Sequence, residues 1–433
     1  MEESSLMQEN ALSEEVTFHI FRHAFSCNNL KDVKASFGKL FASLEKDAEP
    51  SLTVWGILQT LLKSSELNVK TNFVCVSSLL RTWLTSILLF LPNVDSLTLI
   101  VSPFLKESEM FSGDFGNMPL SFDKQIEKLQ VFIRQLYIIY VNIQNQSNPS
   151  QIEKAIVSQI EKIFLKPKII DLMFPEFDKM FSFVIEINNG EANLVSKGNT
   201  DYSSVNYRAK IMGGDISSMP MMNSEVEMQS ITPKESLPDS YEKVILKKMS
   251  DQYSQSTEVA SVDIPSTTIS FNLTPKGPIY LEKGIERFIG WCFKNLKITD
   301  YFSQNQVYVV SHSDQMRSLF SKLSKGKLGP IEKQNVWELE LKAVKQSENM
   351  LEVKGFAKPG KSRPSDAVVD TIISSCEDTC VFNTPGRMLG ITSRDNKCNR
   401  KLPKVSQGGK KTKKSKKQHR LTRKMSKKVM KKW

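Results

Sequence analysis

The sequence predicts an α/β fold, a three-layer α/β/α arrangement whose mostly parallel central sheet carries helices on both faces. Three observations predict it. Short apolar stretches of strand length alternate with stretches whose apolar residues recur at helical period. Two of those strands, Val16–Phe21 and the one beginning at Val307, run directly into a histidine-bearing turn, Arg22-His23 and Ser311-His312. The 433 residues hold only four histidines, so two in equivalent places make a pattern. In open α/β sheets ligands bind beyond the carboxyl ends of the strands, and two imidazoles delivered there could share one pocket.

Taken in order, residues 1–15 are acidic and polar, unlike a secretory signal, and read as a disordered leader. Val16–Phe21 is the first strand. Leu30–Leu44 places Val33, Phe37, Leu40, Phe41 and Leu44 at helical spacing. Thr53 is the expected N-cap of the next helix, with Leu58, Leu61 and Leu62 toward the core. Phe73–Val76 is the second strand, and the helix after it begins near Ser78 with Arg81 in its first turn. Leu97–Val101 is the third strand, stopped by Pro103. Residues 16–107 thus form the first part of a core.

Residues 108–275 read as an insertion or cap. They comprise a Gly- and Pro-punctuated loop near 111–120, helices over 126–143 and 150–165, and a polar, Ser-, Asn- and Met-rich stretch over 187–268. That stretch is expected to be loosely ordered. Core residues resume over 276–358, with a helix over Tyr280–Leu296, the strand from Val307, and a strand over Asn335–Ala343 with Met350–Phe356 as its hairpin partner. Residues 359–433 are a linker and a basic, disordered tail.

The formal charge of +12 is unevenly spread. Residues 400–433 hold 16 Lys and Arg and no acid, and removing those 16 leaves the rest of the chain at −4. Such a run stays extended and binds nucleic acid or another polyanion through counterion release, without sequence discrimination. It can equally serve as a nuclear address, and it resembles tails on proteins of large DNA viruses. No run approaches the ~18 apolar residues of a membrane span. Six scattered cysteines fit a reduced, intracellular compartment, cytoplasmic or nuclear, and Cys376, Cys380, Cys398 and His419 do not make up a zinc set.

Arg22-His23-Ala24, with Ser26 and Asn29 following, resembles the "RHG" signature of the histidine phosphatase superfamily, the phosphoglycerate-mutase-like fold. Three further pieces fall in the family's order. Leu52-Thr53-Val-Trp-Gly56-Ile-Leu-Gln59 resembles its "LTxxGxxQ" helix start, Ser77-Ser-Leu79-Leu-Arg81-Thr82 its "SxLxRT" second arginine, and Val310-Ser-His312-Ser its second histidine. The resemblance implies His23 as the nucleophile that takes up a phosphoryl group, with Arg22, Arg81, Asn29 and His312 as donors to its oxygens. Arginine suits that task because it gives a permanently charged, bidentate fork. The resemblance further implies a carboxylic acid after the third strand as proton donor to the leaving group. Glu107 fits that position, with Asp114 in reserve.

Three departures stand out. Ala24 replaces the family glycine, Phe25 stands where mutases carry an acid or glutamine, and Asp314 brings a negative charge close to His312. His19 points to the same face as Phe21 and reads as structural. The expected activity is hydrolysis of a phosphomonoester, in a phosphorylated small molecule or a phosphoprotein, through a phosphohistidine. No metal or organic cofactor is implied, since the arginines supply the positive charge. A phosphatase-like binding module anchored by its basic tail is the second expectation, and a phosphomutase, disfavoured by Phe25, the third.

Overall fold

The computed structural model describes residues 15–26, 52–107, 119–144, 148–198, 200–205, 241–255, 261–270, 284–295, 305–323, 338–347 and 350–358. The expected leader (save Glu15), the helix over 30–44, Asn29, Asp114, the linker and the basic tail lie outside the described residues.

Among the described residues, ten strands form a single sheet. In chain order they are β1 (Glu15–Arg22), β2 (Phe73–Val76), β3 (Ser96–Val101), β4 (Lys168–Phe174), β5 (Lys179–Asn188), β6 (Glu191–Lys197), β7 (Val262–Ser270), β8 (Gln306–Ser311), β9 (Glu338–Ser347) and β10 (Met350–Lys358). Their spatial order is β6-β5-β4-β3-β2-β8-β1-β9-β10-β7. Only the five central strands, β4-β3-β2-β8-β1, are parallel to one another. The remaining junctions on both flanks are antiparallel.

The sheet is therefore mixed, which corrects the expectation of a mostly parallel one. Connection length is the reason for the flank at β5. Parallel neighbours need a long crossover, whereas β4 reaches β5 and β5 reaches β6 through turns of a few residues, which only antiparallel neighbours allow. Asn189 and Gly190 close the β5–β6 turn with φ of 54° and 78°, the left-handed pair that a two-residue hairpin requires.

The stretch read as an insertion supplies four of the ten strands. Within its supposedly loose part, 187–268, stand β6, a helix over Tyr241–Gln255 and most of β7. These strands belong to the same sheet as the core.

Among the described residues, seven helices accompany the sheet: α1 (Val54–Leu67), α2 (Leu80–Phe90), α3 (Phe122–Gln144), α4 (Gln151–Phe164), α5 (Tyr241–Gln255), α6 (Ile285–Asn295) and α7 (Ser313–Leu323). Capping chemistry sets two of their starts. Thr53 Oγ1 accepts from Gly56 N–H to begin α1, and Ser150 forms a reciprocal capping box with Glu153 to begin α4. Apolar side chains fall into two clusters on opposite faces, because successive strand residues point to opposite sides. Val74, Val76, Leu99 and Val101 join α1 to α5 on one face. Cys75, Ile100, Val307 and Val309 join α6 and α7 on the other. Central strands are thus buried on both sides. No helix among the described residues is long and apolar enough to cross a membrane.

Candidate functional site

Strand register levels the site. Arg22 is opposite Ser311, and Val76 is opposite both Val310 and Val101. Four neighbouring parallel strands, β3-β2-β8-β1, therefore end at one height, and the residues just beyond those ends meet: His23 after β1, Ser77 after β2, Glu107 on the segment after β3, and His312 after β8.

Backbone contacts lock these turns together. His23 N–H donates to the Ser311 carbonyl at 2.8 Å, coupling the two histidine turns. Ala24 N–H donates to Thr85 Oγ1 at 2.9 Å, and the Thr85 hydroxyl donates to the Arg81 carbonyl at 2.7 Å. The His23 turn is thereby tied to the helix that carries Arg81. Ala24 is not among the residues of positive φ, so the turn does not require glycine at this position. The Phe25 carbonyl accepts from both the backbone and the hydroxyl of Thr53. It also lies where a Cβ on Gly56 would be, at 2.2 Å, so α1 can approach this turn only with glycine there. Buried Phe25 serves the apolar core as well.

Arg22, His23, Arg81 and His312 are all no more than 3% exposed. The two imidazoles stand 5.1 Å apart, centroid to centroid. His23 Nδ1 is 2.8 Å from the Ala24 carbonyl. A carbonyl can only accept, so Nδ1 carries the proton and Nε2 keeps its lone pair. His312 Nε2 is 2.8 Å from the Ser77 hydroxyl. Its Nδ1 is buried with no hydrogen-bond partner among the described residues, 3.5 Å from Glu107 Oε2. The same Glu107 oxygen accepts a short hydrogen bond from an Arg81 Nη2. Gln315 donates to the Lys106 carbonyl at 2.8 Å, fastening the Glu107 segment to α7.

Burial, with Arg81 and Arg22 adding repulsion, holds His23 well below the ordinary imidazole value, although its bond to Ala24 pulls the other way. Burial and the same arginines, with His23, depress His312 similarly. Both rings are neutral near pH 7. Burial pushes Glu107 upward and the charge of Asp314 adds to that push, while Arg81 opposes it. Asp314 stands 3.5 Å from Arg317. Its charge, conspicuous in the sequence, also acts on the Glu107 carboxyl.

The sequence-derived residues Arg22, His23, Arg81, Glu107 and His312 come together, while Asn29 and the reserve Asp114 lie outside the described residues. Ser77, Thr85 and Gln315 were not given roles from sequence. Ser77 carried a usable signal, since it follows a strand end just as the histidines do. Ligand-type atoms of His23, Glu107 and His312 lie within 4.8 Å of one another. Two buried guanidiniums beside them favour an anion over a cation at this place. No protein-family model matches the chain, and no curated protein matches its sequence. The arrangement is suited chemically to holding a small anion against a neutral imidazole nitrogen, with a carboxyl nearby that readily accepts a proton.

Proposed function

We propose that the protein hydrolyses phosphomonoesters through a phosphohistidine at His23, on a three-layer fold of the histidine phosphatase type. The observation that carries this reading is the tautomer of His23: its Nδ1–H is committed to the Ala24 carbonyl, which leaves Nε2 as the nucleophile. Arg22 and Arg81 match the charge of a phosphoryl group, and their rigid forks suit its equatorial oxygens. The Ser77 hydroxyl, donating to His312 Nε2, leaves Nδ1–H of that neutral ring as a further donor.

The Arg81–Glu107 pair gives the acid its timing. A phosphate that takes Arg81 for itself weakens the main influence holding the Glu107 pKa down, to which Arg22 adds. The carboxyl then takes up a proton as substrate binds. In the first step the His23 Nε2–P bond forms, the P–O bond to the leaving group breaks, and Glu107 delivers its proton to that oxygen. In the second, water attacks phosphorus, Glu107 takes back a proton, and the N–P bond breaks. Buried Cys75 and Cys292, both free thiols, support a reducing compartment, and the basic tail supports a nuclear or polyanion-bound location.

Release of phosphate from p-nitrophenyl phosphate tests the proposal. Turnover is expected to survive chelator and to fall by at least about 10³-fold in His23→Ala. Retained binding of inorganic phosphate without turnover would replace it with the second reading, a phosphate-recognising module, which the burial of all four cationic and imidazole side chains also accommodates.

A further inference from the structure

A second constellation lies on β1 and its two neighbours, β8 and β9, below the site. On the face that carries α1, cross-strand register sets Tyr308, His19 and Glu340 in one row and Val310, Phe21 and Glu338 in the next. His19 stacks on Tyr308, with ring centroids 4.8 Å apart and an interplanar angle of 14°, which fixes the imidazole's orientation. Its Nδ1 is 3.6 Å from Glu340 Oε2 and 4.0 Å from Glu338 Oε1. Those separations are too long for hydrogen bonds.

Glu338 is only 6% exposed, and its Oε2 has no hydrogen-bond partner among the described residues. Lys63 Nζ stands 3.7 Å from that oxygen, and the charge of Lys358, which is paired with Glu338 across β9 and β10, also reaches His19. A buried carboxylate held this loosely is costly unless a further positive charge completes its surroundings. In a tetrahedral site with metal–ligand bonds of about 2.0–2.1 Å, neighbouring ligand atoms sit roughly 3.3 Å apart. The ligand-type atoms of all three residues lie within 4.8 Å of one another, so the side chains need only close in on an ion by about an ångström or less from the His19 spacings seen here.

We propose that His19, Glu338 and Glu340 bind one divalent transition-metal ion, best suited to Zn2+, with one position left to water. The imidazole and two carboxylates are a borderline ligand set that zinc accepts. Their two negative charges match the ion's two positive ones, and partly exposed Lys63 can withdraw into solvent. The ion would clamp β1 to β9 at the seam where the parallel centre of the sheet meets its antiparallel flank. The inference is independent of the phosphatase reading.

The test is titration of the chelator-stripped full-length protein with Zn2+ alone, followed by calorimetry and by thermal melting. One equivalent is expected to bind and raise the melting temperature, and Glu340→Gln and His19→Ala are each expected to weaken that equivalent at least tenfold. Lys63→Gln, which removes the competing ammonium, is expected to tighten it, and it decides the matter should His19→Ala fail to fold. Unchanged zinc binding in Glu340→Gln, or loss of the equivalent in Glu107→Gln instead, would overturn the proposal. So would the absence of a melting-temperature rise.

Discussion

Glu107 shares one oxygen between Arg81 and His312 Nδ1, and that sharing governs how the site should respond to pH. In the proposed mechanism His23 attacks as a neutral ring, and its depressed pKa then puts the acid limb of kcat/KM well below the ordinary imidazole value. Glu107 acts there as a protonated acid, and its raised pKa puts the basic limb above the ordinary carboxyl value. Glu107→Gln is expected to lower turnover of an alkyl phosphate by about 10²–10⁴-fold and to abolish the basic limb. A basic limb that persists in this variant would exclude Glu107 as the proton donor. Ser77→Ala acts differently. Losing the hydroxyl that orients His312 should reduce kcat about tenfold, the worth of one hydrogen bond, while leaving both limbs in place, and Ser77→Thr should restore it. His23 and His312 were legible because each directly follows an apolar strand, whereas Arg81 and Glu107 were picked out by the resemblance of their segments. The Arg81–Glu107 pairing was not, because it depends on how far the segment after β3 folds back over α2.

At the scale of elements, one atom-level constraint joins α1 to the His23 turn. The Phe25 carbonyl accepts from Thr53 and leaves no space for a side chain at position 56. Gly56→Ala is expected to push Phe25 and the turn apart, at about 1–3 kcal/mol for such overpacking, and to remove activity from molecules that remain folded. Thr53→Ala should cost about 1 kcal/mol of cap and largely spare activity in the folded fraction. Melting curves measured beside turnover distinguish the two, and equal losses of activity would refute the link between the helix and the nucleophile.

Strands in the middle of the sheet were legible for the same reason that they are stable. Buried on both faces, they read as continuous apolar runs. The two edges hid themselves. β6 buries Ala192 alone, and β7 carries Pro265 and a row of hydroxyl side chains, so their composition is that of a loop. Edge strands tolerate both polar residues and proline. Asn189-Gly190 is a local hairpin signal set among polar residues.

For the whole molecule, the two buried imidazoles make stability depend on pH with a definite sign. Unfolded histidine takes a proton near pH 6.5, whereas folded His23 and His312 resist it. Their contribution is complete above about pH 6.5 and is lost as pH falls toward the folded values, by up to about 1.4 kcal/mol per pH unit for each ring. Glu107 works in the opposite sense. Its raised folded pKa favours the native state only below that pKa, which partly offsets the loss. Urea midpoints taken between pH 7 and 5.5 are expected to fall, and a His23→Gln, His312→Gln double variant should flatten the slope. An equally steep slope in that variant would place the acid sensitivity elsewhere.

β1 bears the proposed nucleophile's turn and comes first among the described strands, yet both of its neighbours, β8 and β9, are near the far end of the described chain. During synthesis the ribosome therefore releases an apolar strand with neither of its native partners in existence. Phe18 and Ile20 must wait, exposed or held by a chaperone, until residues 306–347 emerge. His312 follows β8, so no nascent chain short of that length brings His23 and His312 together. A premature stop before β8 leaves β1 without either of its sheet neighbours.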